Sequence, residues 1–317
     1  MQRPIPGTIS DAAKKIFART EQGEIWSLDR IEGIRAEEQE EAQITNAPII
    51  ERYVESLQEN EIGGVPVLSI VPKNYDSGND DRCVLYFFGG AYVVGSPYVD
   101  LPIAARLAVR LGFKVHAPFY RRAPEHPCPA AIDDGFAVYS HLLEDLPANK
   151  IVVAGESAGG NLTLAVVLRA RQEKLPLPAA TALMSPWCDV TPSGLTQQEP
   201  RGFDPTMDYR THLEIAAAAY AADRDQKDPI VSPLYADYSA GFPPTLITTG
   251  TREGFLSDCA RLSTSMRQAG VDVRLHVWEG MWHTFEWYFE VPEADQSLDE
   301  IAEFLSNAVS ANELGWS

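Results

Sequence analysis

Short runs of β-branched and aromatic residues recur along the chain and predict the strands of a sheet. They lie at residues 65–71, 83–88, 113–120, 151–154, 179–184, 244–249 and 271–278. Between them apolar residues recur at helical spacing, as do Ile132, Phe136, Tyr139 and Leu143. Strands that alternate with helices predict an α/β fold, with a mostly parallel central sheet and helices on both of its faces.

A further helix is predicted near the end of the chain. Ser297 and Glu300 have the spacing of a capping box, in which the serine caps the first turn and the glutamate bonds back to it. Leu298, Ile301 and Leu305 would then share one apolar face. The pattern predicts a helix that opens at Ser297.

Two stretches interrupt this alternation. Residues 1–50 are polar with a helical tendency, and residues 188–240 hold several prolines around an alanine-rich helix. We expect both to pack as a helical cap over the carboxyl ends of the strands, where open α/β sheets bind their ligands. The predicted organisation is an arm of the cap at 1–50, core at 51–187, a cap insertion at 188–240 and core again at 241–317.

Composition excludes several classes of function. The 317 residues carry 26 basic and 45 acidic side chains, and a net charge of −19 repels nucleic acid. Neither a secretory leader nor an 18-residue apolar run is visible, so we expect a cytoplasmic protein without a membrane partner. The four cysteines lie far apart, without metal-ligand spacing, and are expected to be reduced thiols (Cys83, Cys128, Cys188, Cys259).

The most specific motif is Gly-Glu-Ser-Ala-Gly at 155–159. It follows a predicted strand and precedes a helical pattern. A tight strand-to-helix turn needs small neighbours around its nucleophile, which then projects above the sheet near a helix N-terminus. Ser157 is therefore the candidate nucleophile. A glycine-rich phosphate site is disfavoured because the Lys-Ser/Thr pair of a P-loop is missing.

A serine nucleophile needs a base, and six histidines are available. His283 lies in a loop just past the strand 271–278, at a carboxyl end from which a base can reach Ser157. His126 follows a proline turn and stays open as an alternative. The remaining four fall inside predicted strands or helices, where we expect structural roles (His116, His141, His212, His276).

The acid that orients the base is expected between Ser157 and His283 in the chain, as in α/β-hydrolases. Glu253 lies in the loop after the strand 244–249, and Asp258 lies at or inside the next helix. Glu253 is favoured, with Asp258 as a bracing carboxylate, but the spacing does not separate the two.

Backbone donors for a developing oxyanion are expected after the strand 83–88. Gly89, Gly90 and Ala91 lie there, and glycines let backbone N–H groups face a substrate without a Cβ in the way. Together with the N–H of Ala158 they would form an oxyanion hole. The alternative is a simple turn.

These segments resemble the hormone-sensitive-lipase family of α/β-hydrolase esterases. That family has YFHGGGYVIGS where this chain has YFFGGAYVVGS at 86–96, DYRLAPEHPFPAA where it has FYRRAPEHPCPAA at 119–131, and GDSAGG where it has GESAGG at 155–160. Further matches are SPL at 232–234 and the GMxHxF pattern at 280–285. The similarity is in register from about residue 65 to 305.

The resemblance implies an α/β-hydrolase fold and carboxylic-ester hydrolysis without cofactor or metal. Substrates would be small-molecule esters or lactones with short to medium acyl chains, attacked to give an acyl-serine intermediate. Many members are dimers, so a homodimer is also an expectation. Two alternatives stay open: a non-catalytic small-molecule receptor on the same fold, and an amidase that uses the same triad.

Three positions depart from the family pattern. Phe88 replaces a histidine, Ala91 replaces a glycine and Glu253 replaces the usual aspartate. We expect a more apolar pocket at Phe88 and an altered oxyanion loop at Ala91, because a Cβ narrows the allowed φ range. Glu156, beside the nucleophile, is expected to be a mild change.

Aromatic residues near these motifs are candidates for the substrate pocket. Phe88, Tyr92, Trp187 and Trp282 are the expected lining residues, with Trp287 and Tyr288 close by. The alternative is that these rings only pack the cap against the core.

Overall fold

One sheet organises the molecule. The structure is a computed structural model that describes residues 4–18, 26–199 and 203–311, and within these ranges eight strands form the sheet. The strands are β1 (Val54–Ile62), β2 (Val65–Pro72), β3 (Cys83–Phe87), β4 (Lys114–Pro118), β5 (Ile151–Glu156), β6 (Ala180–Met184), β7 (Thr245–Gly250) and β8 (Val273–Trp278). Their order is β1-β2-β4-β3-β5-β6-β7-β8. β2 is antiparallel to its neighbours, and the strands from β4 to β8 are parallel.

Helices cover both faces of this sheet. They are α1 (Asp11–Ala18), α2 (Ile31–Thr45), α3 (Ala47–Tyr53), α4 (Leu101–Leu111), α5 (Ala130–Asp145), α6 (Ser157–Gln172), α7 (Glu214–Ala221), α8 (Leu256–Gln268) and α9 (Pro292–Ala311). Along β3, Val84 and Tyr86 pack with α4 and α9, whereas Leu85 and Phe87 pack with α5, α6 and α8. The alternation of side chains along a strand thus builds two cores from one sheet.

The predicted strands all appear, within two residues of their predicted bounds, and the α/β class is confirmed. β1 was not predicted. It is an edge strand of the sheet, and five of its nine residues are exposed, so its sequence lacks the apolar runs of the buried strands.

The predicted start of the last helix at Ser297 is wrong. α9 begins at Pro292, because proline suits the first turn of a helix and the residues that follow it continue the helical pattern. Ser297 lies inside α9, fully buried, and its hydroxyl donates to Glu286 at 2.8 Å. The capping-box spacing was therefore a coincidence of sequence.

Of the two segments expected to form a cap, the first contains α1 and α2, whereas the described part of the second contains α7 among turns and short helical segments. α2 is attached to the loops after β3 and β4. Arg35 donates to the carbonyl oxygens of Val93 and Ala123, each at 2.7 Å, and Glu38 accepts from the N–H of Gly95 at 3.0 Å. α1 packs elsewhere, on the segment after β8 that contains Met281, Trp282 and Phe285. Among the described helices, none combines the length and the hydropathy that a membrane crossing requires.

Because β3, β5, β7 and β8 are parallel, the loops after them meet at one edge of the sheet. These four loops contain Phe88, Ser157, Glu253 and His283. The backbone topology alone therefore places the candidate site residues at the same edge of the sheet.

Candidate active site

Ser157 stands at a sharp turn between β5 and α6. Its φ is 51°, in the left-handed region that side chains rarely adopt, as expected for a strained strand-to-helix turn. The turn requires glycine on both sides. A Cβ on Gly155 would stand 2.3 Å from the carbonyl oxygen of Gly159, and one on Gly159 would stand 2.0 Å from that of Phe87.

His283 lies beside this serine, on the loop after β8. Its Nε2 is 2.9 Å from the Ser157 Oγ, within hydrogen-bond distance. The imidazole side chain is 11% exposed, and burial lowers its pKa to about 3, which keeps it neutral near pH 7. A neutral imidazole that contacts the hydroxyl is able to accept its proton.

Glu253 faces the other side of the imidazole. Its Oε2 is 3.9 Å from His283 Nδ1, and within the described chain this Nδ1 is buried without a hydrogen-bond partner. The carboxylate is fully buried and accepts hydrogen bonds from Ser185 Oγ, at 2.6 Å, and from Thr249 Oγ1. Burial raises the pKa of Glu253 well above its ordinary value, although the hydrogen bonds from the two hydroxyl groups act to lower it.

Asp258 does not contact His283. It accepts from Arg261 Nη1 at 2.8 Å and from Gln197, and Arg261 also contacts Asp189 at 3.0 Å. Its carboxylate thus links α8 to the residues that follow β6. Of the two candidate acids, the structure brings Glu253 to the imidazole and leaves Asp258 in a bracing position.

The loop after β3 supplies backbone donors near Ser157. Gly90 has φ 99° and Ala91 has φ 51°, so Ala91 adopts a backbone conformation that its Cβ disfavours. No acceptor in the described ranges bonds to the N–H of either residue. Ala158, at the start of α6, presents a further N–H of the kind that a helix N-terminus leaves free. The backbone of Gly89 differs, because the carboxylate of Glu156 lies directly against it.

A cavity of about 270 Å³ opens above Ser157 and His283. Segments outside the central sheet contribute Trp26, Met207 and Leu213, and the loop after β3 contributes Phe88, Val94 and Val99. Trp287 and Tyr288 line it, as does His212, which the sequence had placed in a structural role. Three carboxyl groups also reach this cavity: Glu38, Asp100 and Glu156.

Of the four aromatic residues expected to line the pocket, only Phe88 does so among the described lining residues. Its ring stacks on Tyr120 with centroids 4.1 Å apart. For Tyr92, Trp187 and Trp282 the expectation is corrected: Tyr92 stacks on Tyr220 at 3.7 Å, and both tryptophans are fully buried in the cores. Residue type alone does not tell whether a ring faces a cavity or a core.

Several polar residues around Ser157, His283 and Glu253 were not predicted. Ser185 and Thr249 bond to Glu253, and Asp204 accepts the backbone N–H of His283 at 3.0 Å. Burial raises the pKa of Asp204 to about 6. Their proximity to the triad arises from the fold, and nothing in the local sequence marks it. Among the described residues, no three potential ligands converge as a metal site.

Comparison with known proteins gives a consistent result. A family model described as the alpha/beta hydrolase fold matches residues 84–287. An acetyl-hydrolase from Streptomyces hygroscopicus is 35% identical over 72% of this chain and 77% of its own length. An esterase from Acinetobacter venetianus is 37% identical over 71% and 75%. A crystal structure of a hormone-sensitive lipase from a metagenome library superposes with a TM-score of 0.86 at 34% identity, covering 95% of this chain and 99% of that one.

Proposed function

The chain belongs to the α/β-hydrolase-fold family, among its hormone-sensitive-lipase esterases, and from that premise we propose that it is a serine carboxylesterase with Ser157, His283 and Glu253 as its triad. The observation that carries the proposal is the 2.9 Å contact between His283 Nε2 and Ser157 Oγ inside the cavity. The esterase and acetyl-hydrolase relatives support the same chemistry.

In the first half of the reaction, Ser157 Oγ attacks the ester carbonyl carbon while His283 Nε2 takes the hydroxyl proton. The negative charge on the carbonyl oxygen is held by the N–H groups of Gly90, Ala91 and Ala158. The intermediate collapses to an acyl-serine, and His283 returns its proton to the departing alcohol. Water, activated by the same imidazole, then releases the acid and restores Ser157.

Glu253 acts when His283 is protonated. A carboxylate next to an imidazolium stabilises its charge and fixes the orientation of the ring. The 3.9 Å separation in the resting site is expected to shorten at that stage, since catalytic hydrogen bonds often tighten only in the reacting complex. Ser185 and Thr249 hold the carboxylate in place for this step.

The size of the cavity favours small substrates. At about 270 Å³ it lies near the lower end of the usual range for ligand pockets, so short to medium acyl chains fit it best. The name of the acetyl-hydrolase relative agrees with this range. We include lactones of similar size among the proposed substrates.

The test is a series of p-nitrophenyl esters from acetate to dodecanoate, with a burst of product expected from acyl-serine formation. Turnover should be greatest for the short members and should vanish in Ser157→Ala. Ser265→Ala, on α8, is the control and should keep full activity. Full activity in Ser157→Ala contradicts the proposal, binding without turnover indicates a receptor, and preference for matched amides indicates an amidase.

Three finer assignments complete the proposal. Residues 1–50 and 188–240 are assigned to a cap, supported by the cavity positions of Trp26, Met207 and Leu213.

A cytoplasmic location is supported by four buried free cysteines. A homodimer through the edge strand β8 is supported by the exposed Val277 on it, and light scattering coupled to gel filtration would test it.

A further inference from the structure

Glu156 occupies an unusual position for a carboxylate. It is the last residue of β5, directly before Ser157, and only 7% of it is exposed. Its side chain reaches the point where the loop after β3 meets the loop after β8. The first loop carries the proposed oxyanion donors and the second carries His283, so one carboxylate contacts both parts of the site.

On the β8 side, Thr284 Oγ1 donates a hydrogen bond to Glu156 Oε2 at 2.9 Å. Thr284 directly follows His283 and has φ 53°, which is a strained conformation for a β-branched residue. Such strain persists only where surrounding contacts enforce it. Here two contacts do so: the bond to Glu156, and a second bond from the Thr284 N–H to Ser185 Oγ at 3.2 Å.

On the β3 side, Glu156 lies directly against Gly89. A Cβ on Gly89 would stand 1.8 Å from Glu156 Oε1, so only glycine fits beside this carboxylate. The Gly89 backbone also acts to lower the pKa of this carboxyl group, against the larger effect of burial, which raises it. Gly90 and Ala91 follow immediately, so the position of Gly89 sets where their N–H groups lie.

We propose that Glu156 is a positioning residue for catalysis, whose carboxylate fixes His283 through Thr284 and the oxyanion donors through Gly89. The inference rests on the proposed esterase function and extends it. Glu156 touches neither Ser157 Oγ nor His283 by any hydrogen bond in the described chain, so it acts through its two neighbours. Small displacements of reacting groups lower the rate by large factors. The paired contacts of Glu156 with Thr284 and with Gly89, here called the clamp, limit such displacements.

Glu156→Ala, Glu156→Gln and Thr284→Val test this role on the short esters that the wild-type protein turns over. We expect Glu156→Ala to lower kcat by about 10- to 100-fold, with KM changed by less than about 3-fold, because the clamp orients reacting groups and does not hold the substrate. Glu156→Gln should recover most of kcat, since the amide oxygen still accepts the Thr284 hydroxyl and the amide group has nearly the size of the carboxyl group. Thr284→Val should lower kcat and add little in combination with Glu156→Ala.

Glu286→Ala is the matched control. Glu286 is also a fully buried glutamate, and it accepts two hydroxyl bonds, from Thr248 at 2.7 Å and Ser297 at 2.8 Å, but neither partner belongs to the site. It should lower the melting temperature and leave kcat of the folded fraction unchanged. If Glu156→Ala does not fold, Thr284→Val and Thr284→Ser test the positioning role instead. The serine variant keeps the hydroxyl group and should keep activity, whereas the valine variant should lose it.

Turnover by the wild-type protein tests the proposed function separately from this inference. In an active wild-type background, a kcat for Glu156→Ala within about 3-fold of wild type contradicts the positioning role. So does a Glu156→Gln variant as impaired as Glu156→Ala, because charge rather than hydrogen bonding would then be responsible. A loss in Glu156→Ala confined to KM contradicts it as well.

Discussion

Glu253 and Asp258 are both buried carboxylates between Ser157 and His283 in the chain, and their surroundings separate them. Only Glu253 faces the imidazole, whereas Asp258 contacts Arg261. We expect Glu253→Gln to lower kcat/KM by at least about 10²-fold, because an amide cannot stabilise the imidazolium. Asp258→Asn should change kcat/KM little and lower the melting temperature. The reverse order of the two losses, measured on one ester, would assign the acid to Asp258.

Ala91 offers a second test at the residue scale. At its φ of 51°, alanine is about 1 kcal/mol less stable than glycine. We expect Ala91→Gly to raise the free energy of unfolding by up to about 1 kcal/mol and to leave kcat near its wild-type value, since the N–H is retained. Denaturant titration measures the change.

The same substitution should have the opposite sign in an ordinary helix. Ala218 is exposed in the middle of α7, and Ala218→Gly should cost about 1 kcal/mol of unfolding free energy. Destabilisation by Ala91→Gly would show that the loop after β3 is not strained at this residue.

Among the elements, α1 bears on the site through the segment that carries His283. Phe17 packs edge-on against Trp282 with centroids 5.5 Å apart, and the Arg252 guanidinium lies 4.9 Å from its ring. We expect Phe17→Ala to cost about 3–5 kcal/mol of local stability and to speed hydrogen exchange at residues 281–285. The turnover number should fall with it, because the loop then holds His283 less firmly.

Phe113→Ala is a suitable comparison. Phe113 is 5% exposed against 6% for Phe17, and the Arg82 guanidinium lies 5.8 Å from its ring, but it belongs to the core around α4. Its loss should lower stability and leave exchange at residues 281–285 unchanged. Equal exchange in both variants would mean that α1 does not support the loop.

The sequence predicted those elements whose residues form a clear local pattern of apolar and polar positions. β5 and β6 are buried along their whole length and stand out as apolar runs. β1 was missed because Glu55, Glu59 and Glu61 reflect its exposed edge position. The start of α9 was misplaced because Ser297 has the spacing of a cap without its environment.

The same limit applies to the site. Ser157 and His283 stand in recognisable local segments, and the structure brings them together. The bonds of Glu156, Ser185 and Thr249 join segments far apart in the chain, so no local pattern predicts them. Glu156 was expected to be a mild change, and nothing in the sequence indicates that its carboxylate contacts both the loop after β3 and the loop after β8.

Acidic side chains outnumber basic ones in the whole molecule, and several of them are buried. The formal net charge is −19. Inside, burial raises the pKa of Glu156 to about 7 and shifts the pKa values of Asp100 and Glu253 well above their ordinary range. Two buried histidines shift the other way, since burial lowers the pKa of His116 to about 4 and that of His283 to about 3.

These shifts fix the sign of the pH dependence of stability. A carboxyl group with a raised pKa binds its proton more tightly in the folded chain, so its contribution is complete below its ordinary pKa and is lost as the pH rises through the folded value. A histidine with a lowered pKa destabilises the fold only as the pH falls below about 6.5. Between pH 6.5 and 8 these two histidines therefore stay neutral and add almost nothing to the pH dependence. The buried carboxyl groups then determine how stability changes with pH.

We therefore expect the melting temperature to fall by about 2–6 °C from pH 6.5 to pH 8, as Glu156 and the other buried carboxyl groups with raised pKa values ionise. Exposed carboxyl groups are already ionised at pH 6.5, and salt screens buried groups only weakly, so added sodium chloride should change this difference little. Glu156→Gln has no carboxyl group to ionise there and should reduce the fall. Calorimetry at the two pH values measures all three, and a melting temperature that rises with pH would mean that these carboxyl groups are ionised in the folded protein already at pH 6.5.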